Sequence, residues 1–255
     1  MINMGLSFFD CNCMVGTRAD RKASEPWTRE VLLSDMEACG ISDALVTHAL
    51  CRDYDAAAGN HELARLILDS PNLHGCWAIL PPASGEIQEP QAFLKQMSAA
   101  RVVAAIAYPV THRYSLSEWS MEPLLSALEH ARVPLLLPFG QQPWDEVERL
   151  CSRYASLPVI ITGLNYRQLR FLLPLWQKCH NLFVDLSWFS IHDGLAYLAD
   201  HGLLGQVLFG TNYPLFEPGA AITMVTYANI SDEERRTVAG GTLRDIINGI
   251  RMERR

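Results

Sequence analysis

The chain has 255 residues, 49% of them hydrophobic, with a formal charge of −7 and seven cysteines. That length suits one domain, residues 1–255, around one large core, and an acidic balance without basic clusters argues against a nucleic-acid or anionic-membrane surface. No apolar run reaches the roughly eighteen residues of a membrane span. The opening Met1-Ile2-Asn3-Met4-Gly5 lacks a secretory leader's basic start, and an odd set of scattered cysteines reads as reduced thiols, so a cytoplasmic protein is expected.

Phe8 to Gly16 reads as an apolar opening strand that ends in polar residues and a glycine. Ser24 to Gly40 reads as a loop and then a helix, with Pro26 and Thr28 as start signals, Val31, Leu32, Met36 and Cys39 at helical spacing, and Gly40 as the stop. A strand over Ala44 to Ala49 leads through a polar loop at Arg52 and Asp55 to a helix carrying Leu63, Leu66 and Ile67. The third strand, Gly75 to Leu80, stops at Pro81-Pro82, neither of which can donate to a ladder. A helix from Pro90 to Ala100 precedes Val102 to Tyr108, whose Val, Ala and Ile suit a strand buried on both faces. The same alternation continues through strands at Pro134–Gly140, Pro158–Thr162, Leu182–Leu186 and Gln206–Gly210. The helices between them are Glu122–Ala131, Trp144–Tyr154, Tyr166–Cys179 and Ile191–His201.

Eight strand-helix units argue for a parallel sheet closed into a (β/α)8 TIM barrel of the α/β class, with a doubly wound open sheet as the structural alternative. Ser231 to Ile250 adds two C-terminal helices split by Gly240-Gly241, and Arg251-Met252-Glu253-Arg254-Arg255 reads as a solvated tail.

Several stretches in order resemble one family. They are the Asp10-Cys11-Asn12-Cys13-Met14 run on the first strand, Ala58-Gly59-Asn60-His61-Glu62-Leu63, Val133-Pro134-Leu135-Leu136-Leu137-Pro138, Leu157-Pro158-Val159-Ile160-Ile161-Thr162-Gly163, Leu208-Phe209-Gly210-Thr211-Asn212-Tyr213-Pro214 and Gly240-Gly241-Thr242-Leu243-Arg244-Asp245-Ile246-Ile247. Together they resemble the amidohydrolase-related TIM-barrel hydrolases over nearly the whole chain. The resemblance implies two metal-binding imidazoles on the first strand, one each at the ends of the fifth and sixth, and a catalytic Asp after the eighth. This sequence places Asn12, Met14, Pro138, Gly163 and Asn212 there. Pro and Gly side chains offer no ligand, a Met thioether suits zinc poorly, and an Asn amide is no proton acceptor. No metal and no other cofactor is therefore expected. Gly-x-Gly-x-x-Gly, Walker, Gly-x-Ser-x-Gly and Cys-x-x-Cys motifs are absent.

Strict alternation along the first strand would turn Asp10, Asn12 and Met14 inward and Cys11 and Cys13 toward the helices. The residues at strand ends that could carry acid-base chemistry without metal are His48, Asp10, Tyr108 and His112, and those suited to hold a small polar ligand are Asn12, Asn212, Trp188, Asn165 and Arg52. Asp185 is a further inward carboxylate if the seventh strand ends there. Two functions remain open: a metal-independent hydrolase or lyase on a small polar or carboxylate-bearing substrate, and a non-catalytic descendant binding a small ligand or partner protein at the same mouth. A homo-oligomer is compatible with either.

Overall fold

A computed structural model describes residues 5–19 and 27–252. Met1 to Met4, Ser24 to Pro26, and Glu253, Arg254 and Arg255 of the readings above lie outside the described residues. The strands are β1 (Phe8–Val15), β2 (Ile41–His48), β3 (Leu73–Ile79), β4 (Val102–Ala107), β5 (Leu135–Pro138), β6 (Val159–Thr162), β7 (Leu182–Asp185) and β8 (Val207–Leu208). Each pairs in parallel with the next in chain order. The ring closes where Cys11 N donates to Phe209 O at 3.0 Å and Met14 N to Tyr213 O at 2.9 Å. This is the (β/α)8 barrel, and the open sheet is set aside.

The helices are α1 (Arg29–Cys39), α2 (Ala49–Asp53), α3 (Ala56–Ile67), α4 (Pro90–Ala99), α5 (Glu118–Ala131), α6 (Trp144–Arg153), α7 (Leu169–Lys178), α8 (Gly194–Asp200), α9 (Gly219–Thr226), α10 (Asp232–Arg236) and α11 (Thr242–Asn248). Thr28 does start α1, its hydroxyl accepting from Val31 N at 3.3 Å, and Gly40 ends it in the left-handed region at φ 72°. The polar stretch after β2 forms the short α2 because the His48 ring caps it, Nδ1 accepting from Leu50 N at 3.1 Å. None of the described helices is long and apolar enough to cross a membrane.

Two apolar layers follow from strand alternation. Phe9, Leu45, Ala78, Ile106, Leu136, Ile160 and Leu208 fill the barrel interior, while Phe8, Val46, Ile79, Leu137, Ile161 and Val184 pack outward under the helices. Asn60 ties the helix layer to the wall: its amide takes both sides of Ala78, Nδ2 to the carbonyl and Oδ1 from the N–H, each at 2.8 Å. At the N-terminal end of the barrel, α11 sends Leu243 and Ile247 into the inner core. There Gly240 comes so close to Phe9 that an added Cβ would stand 2.9 Å from the Phe9 Cβ. The opposite rim, at the C-terminal ends of the strands, is where sites lie in this fold.

The first strand departs from strict alternation. Asp10 pairs with Ala44 and Cys13 with Val46, so three steps of β1 face two of β2: one extra residue, a β-bulge. The Asp10 carboxylate holds it, accepting the Asn12 N–H at 2.9 Å as an Asx turn does. The expectation for Cys11 is corrected: it joins the inner core with Phe9, while Cys13 and Val15 lie in the outer one. Asp10, between two inward residues, turns to the outer side instead of inward with Asn12.

Candidate functional site

At the C-terminal rim Asp185, the last residue of β7, is fully buried. The strand ends there, Leu186 packs in the outer core, and the chain bends so that Ser187 turns back to hydrogen-bond Asp185. Asp185 Oδ2 accepts from Asn12 Nδ2 at 2.9 Å and from Ser187 Oγ at 2.8 Å, and Oδ1 accepts from Gly163 N at 2.9 Å. Gly210 lets the carboxylate lie against the eighth strand. Burial pushes the Asp185 carboxyl up to about 6; the bonds from Asn12, Ser187 and Gly163 oppose that rise, and the neighbouring Asp10 charge adds to it. Two of the donors to this sunken carboxylate, Asn12 and Ser187, are themselves only half-buried.

Asp10 is likewise fully buried, and burial raises its carboxyl above the usual range. Thr211 gives it two bonds, from the N–H at 3.1 Å and from Oγ1 at 2.5 Å. Both oxygens are thereby engaged, and Asp10 fastens β1 to the segment after β8.

The other nominated residues fall in separate places. His48 Nδ1 is occupied by its cap bond, which puts the neutral ring's proton on Nε2, and burial lowers its basicity. The ring lies on Gly16, where a Cβ would stand 2.6 Å from His48 Cε1. Tyr108 is 2% exposed and is pushed far up by burial; Thr47 hydrogen-bonds to it. His112 meets the Tyr108 ring edge-on at 5.4 Å and donates from Nε2 to the Arg52 carbonyl at 3.0 Å. Arg52 itself pairs with Asp53 at 3.2 Å. Asn165 accepts from Arg167 N at 3.0 Å and caps a short turn. Trp188 is exposed and meets Phe216 edge-on at 5.4 Å, and half-buried Asn212 holds φ 55°. Among the expected ligand-binding residues, Asn12 is the one joined to the buried carboxylate; Arg52, Tyr108 and His112 form a second group beyond β2 and β4.

Sequence reasoning missed Thr211 as the partner of Asp10 because that pairing crosses from the end of β8 to β1, 201 residues apart, and missed Ser187 as the partner of Asp185 although only two residues separate them. Asp185 was visible as an inward carboxylate, and a serine two residues after it in sequence was the available signal for the pair.

A divalent metal needs three or four imidazole, thiolate or carboxylate donors with free lone pairs. The strand ends offer Asn12, Met14, Pro138, Gly163 and Asn212, and the nearby carboxylates are held by protein donors. Among the described residues no three His, Cys, Asp or Glu side chains are grouped to hold an ion. The donor set does not fit a metal of the family type.

A family model described as amidohydrolase matches residues 26–245. No curated protein sequence matches the chain. Among solved structures, an uncharacterized TIM-barrel protein from Bordetella bronchiseptica superposes with TM-score 0.75 at 13% identity, covering 96% of this chain and 99% of that one. A 5-carboxyvanillate decarboxylase from Novosphingobium aromaticivorans, complexed with manganese and 4-hydroxy-3-methoxy-5-nitrobenzoic acid, gives 0.75 at 13% identity, covering 96% of each chain. A probable 2-pyrone-4,6-dicarboxylic acid hydrolase from Acinetobacter baumannii with citric acid bound gives 0.69 at 14% identity, covering 95% and 100%. At these identities the likeness is one of fold.

Proposed function

We propose, for a chain that belongs to the amidohydrolase family, that it works as a metal-independent hydrolase or lyase on a small polar or carboxylate-bearing molecule held at the C-terminal rim of the barrel. The observation that carries this reading is Asp185: a buried carboxyl titrating at about 6, in contact with two half-buried donors, Asn12 and Ser187. A carboxyl tuned toward neutrality can both take and return a proton at physiological pH, which is what acid-base catalysis needs. Asn12 orients the carboxylate, and Asn212 and Trp188 supply polar and aromatic rim for the substrate. The small-acid chemistry named for two structural neighbours, a decarboxylase and a dicarboxylic acid hydrolase, supports the substrate class.

The test is turnover by metal-stripped protein of a panel of lactones, amides and aromatic carboxylic acids. Activity that survives chelator and falls about a hundredfold or more in Asp185→Asn supports the reading; activity that appears only on adding zinc or manganese overturns it.

A second reading, binding without catalysis, is favoured by the way Asp10, His48 and Tyr108 are tied down or sealed from the mouth. It predicts ligands that raise the melting temperature of the wild type, lose that effect in Asn12→Leu, and are recovered chemically unchanged.

A further inference from the structure

We infer that Ser187 is a nucleophile and Asp185 its base, so that the rim carries out acyl transfer on small esters and lactones through a serine-bound intermediate. The inference rests on the metal-independent reading above and names its reaction.

The geometry is that of a serine-carboxylate dyad. Ser187 Oγ donates to Asp185 Oδ2 at 2.8 Å, inside the range a nucleophile needs to hand its proton to a base. The base is fixed by two further donors, Asn12 Nδ2 on the same oxygen at 2.9 Å and Gly163 N on the other at 2.9 Å. Asp185 is fully buried while Ser187, its hydrogen-bond donor, is half-buried. No imidazole intervenes, and none is required where the carboxylate reaches the hydroxyl directly. The next residue, Trp188, is exposed and meets Phe216 edge-on at 5.4 Å.

The step balances without a co-reactant other than water. Ser187 Oγ forms a bond to the carbonyl carbon as its proton passes to Asp185 Oδ2. The carbon-oxygen bond to the leaving alcohol breaks, and that alcohol takes the proton from Asp185. Water then attacks the acyl-serine, gives a proton to Asp185, and the acid departs as Ser187 Oγ recovers it. The Asn12 amide has two N–H protons. One goes to Asp185, and the second is assigned to the oxyanion that forms in each half-reaction.

The test uses the purified full chain in chelator, treated with a fluorophosphonate probe and separately with p-nitrophenyl acetate, followed by intact-mass measurement and peptide mapping. The expected result is one adduct on Ser187. It is absent in Ser187→Ala, slower by about a hundredfold in Asp185→Asn, and present as a thioester with p-nitrophenyl acetate in Ser187→Cys, with the circular dichroism of each variant unchanged. No adduct on the folded wild type, an adduct elsewhere, or equal labelling in Asp185→Asn overturns the proposal. A substrate turned over by metal-stripped Ser187→Ala at the wild-type rate, and lost in Asp185→Asn, removes the nucleophile and leaves the metal-independent reading standing. Ser187 labelling combined with turnover that needs added zinc or manganese removes that reading and keeps the nucleophile.

Discussion

Gly210 lies directly against Asp185: a Cβ added to the glycine would stand 2.9 Å from the Asp185 Cβ and 3.1 Å from its Oδ2, with Cys11 Sγ 3.0 Å away. The close approach lets a buried carboxylate share the inner wall with two neighbouring strands. Gly210→Ala must push Asp185 or Cys11 aside, at a cost of about 1–3 kcal/mol for an overpacked site. Urea unfolding checks this, with the midpoint expected to fall and the slope to stay constant.

The pH dependence of stability follows from Asp185. Its carboxyl has an ordinary value of 3.8 and lies at about 6 in the fold, raised mainly by burial. Between those values the folded state binds more protons than the unfolded one, so stability falls as pH rises. The favourable contribution is complete below the unfolded value and gone above the folded one. A shift of that size corresponds to something on the order of 3 kcal/mol. The measurement is the difference in unfolding free energy between wild type and Asp185→Asn at about pH 4 and about pH 7.5. The wild type should gain on the variant at the acidic end.

Thr211 satisfies the other buried carboxylate, giving Asp10 both its N–H and its hydroxyl, and its Oγ1 also accepts from Tyr213 N at 3.1 Å. Thr211→Val keeps the shape and deletes the hydroxyl. The expected loss is about 1–3 kcal/mol, as for a buried acceptor left short of a donor. Thr211→Ser should recover most of it in thermal or urea unfolding, since it restores the bond to Asp10.

Metal removal should do nothing. A group that binds only the folded state raises its stability by mass action, so a protein that depends on a bound ion would melt earlier in chelator. Here the melting temperature is expected to be the same with and without chelator, and elemental analysis should find well under one equivalent of zinc, manganese or iron. A stoichiometric ion, or a fall in melting temperature on chelation, would show that the donor set had been misjudged.

Much of the fold was legible in the sequence. Short runs rich in Val, Ile and Leu alternate with helix-length segments, and Thr28 and Gly40 mark the ends of α1 in their expected chemistry. The eighth strand proved shorter than expected, only Val207–Leu208, because the chain leaves regular pairing early and closes on β1 through single bonds at Phe209 and Tyr213. The α8 start at Gly194 in place of Ile191, and the short α2 after β2, were set by contacts and a cap bond that periodicity does not encode.

By itself the sequence determined the barrel, the family, and the residue types at the strand ends, since hydrophobic period, turn residues and side-chain chemistry are local properties of the chain. Only the tertiary structure decided which of those residues meet. One extra residue in β1, held by the Asp10 carboxylate on the Asn12 N–H, put Cys11 in the inner core and sent the Asp10 and Asn12 side chains to different partners, Thr211 and Asp185. Partners 173 and 22 residues from Asp185, namely Asn12 and Gly163, converged on its carboxylate. A strand shift of one position exchanges inside for outside, and long-range pairing is fixed by packing the closed ring as a whole. The chemistry of this rim is accordingly written in Asp185, Asn12 and Ser187 together, and in none of them alone.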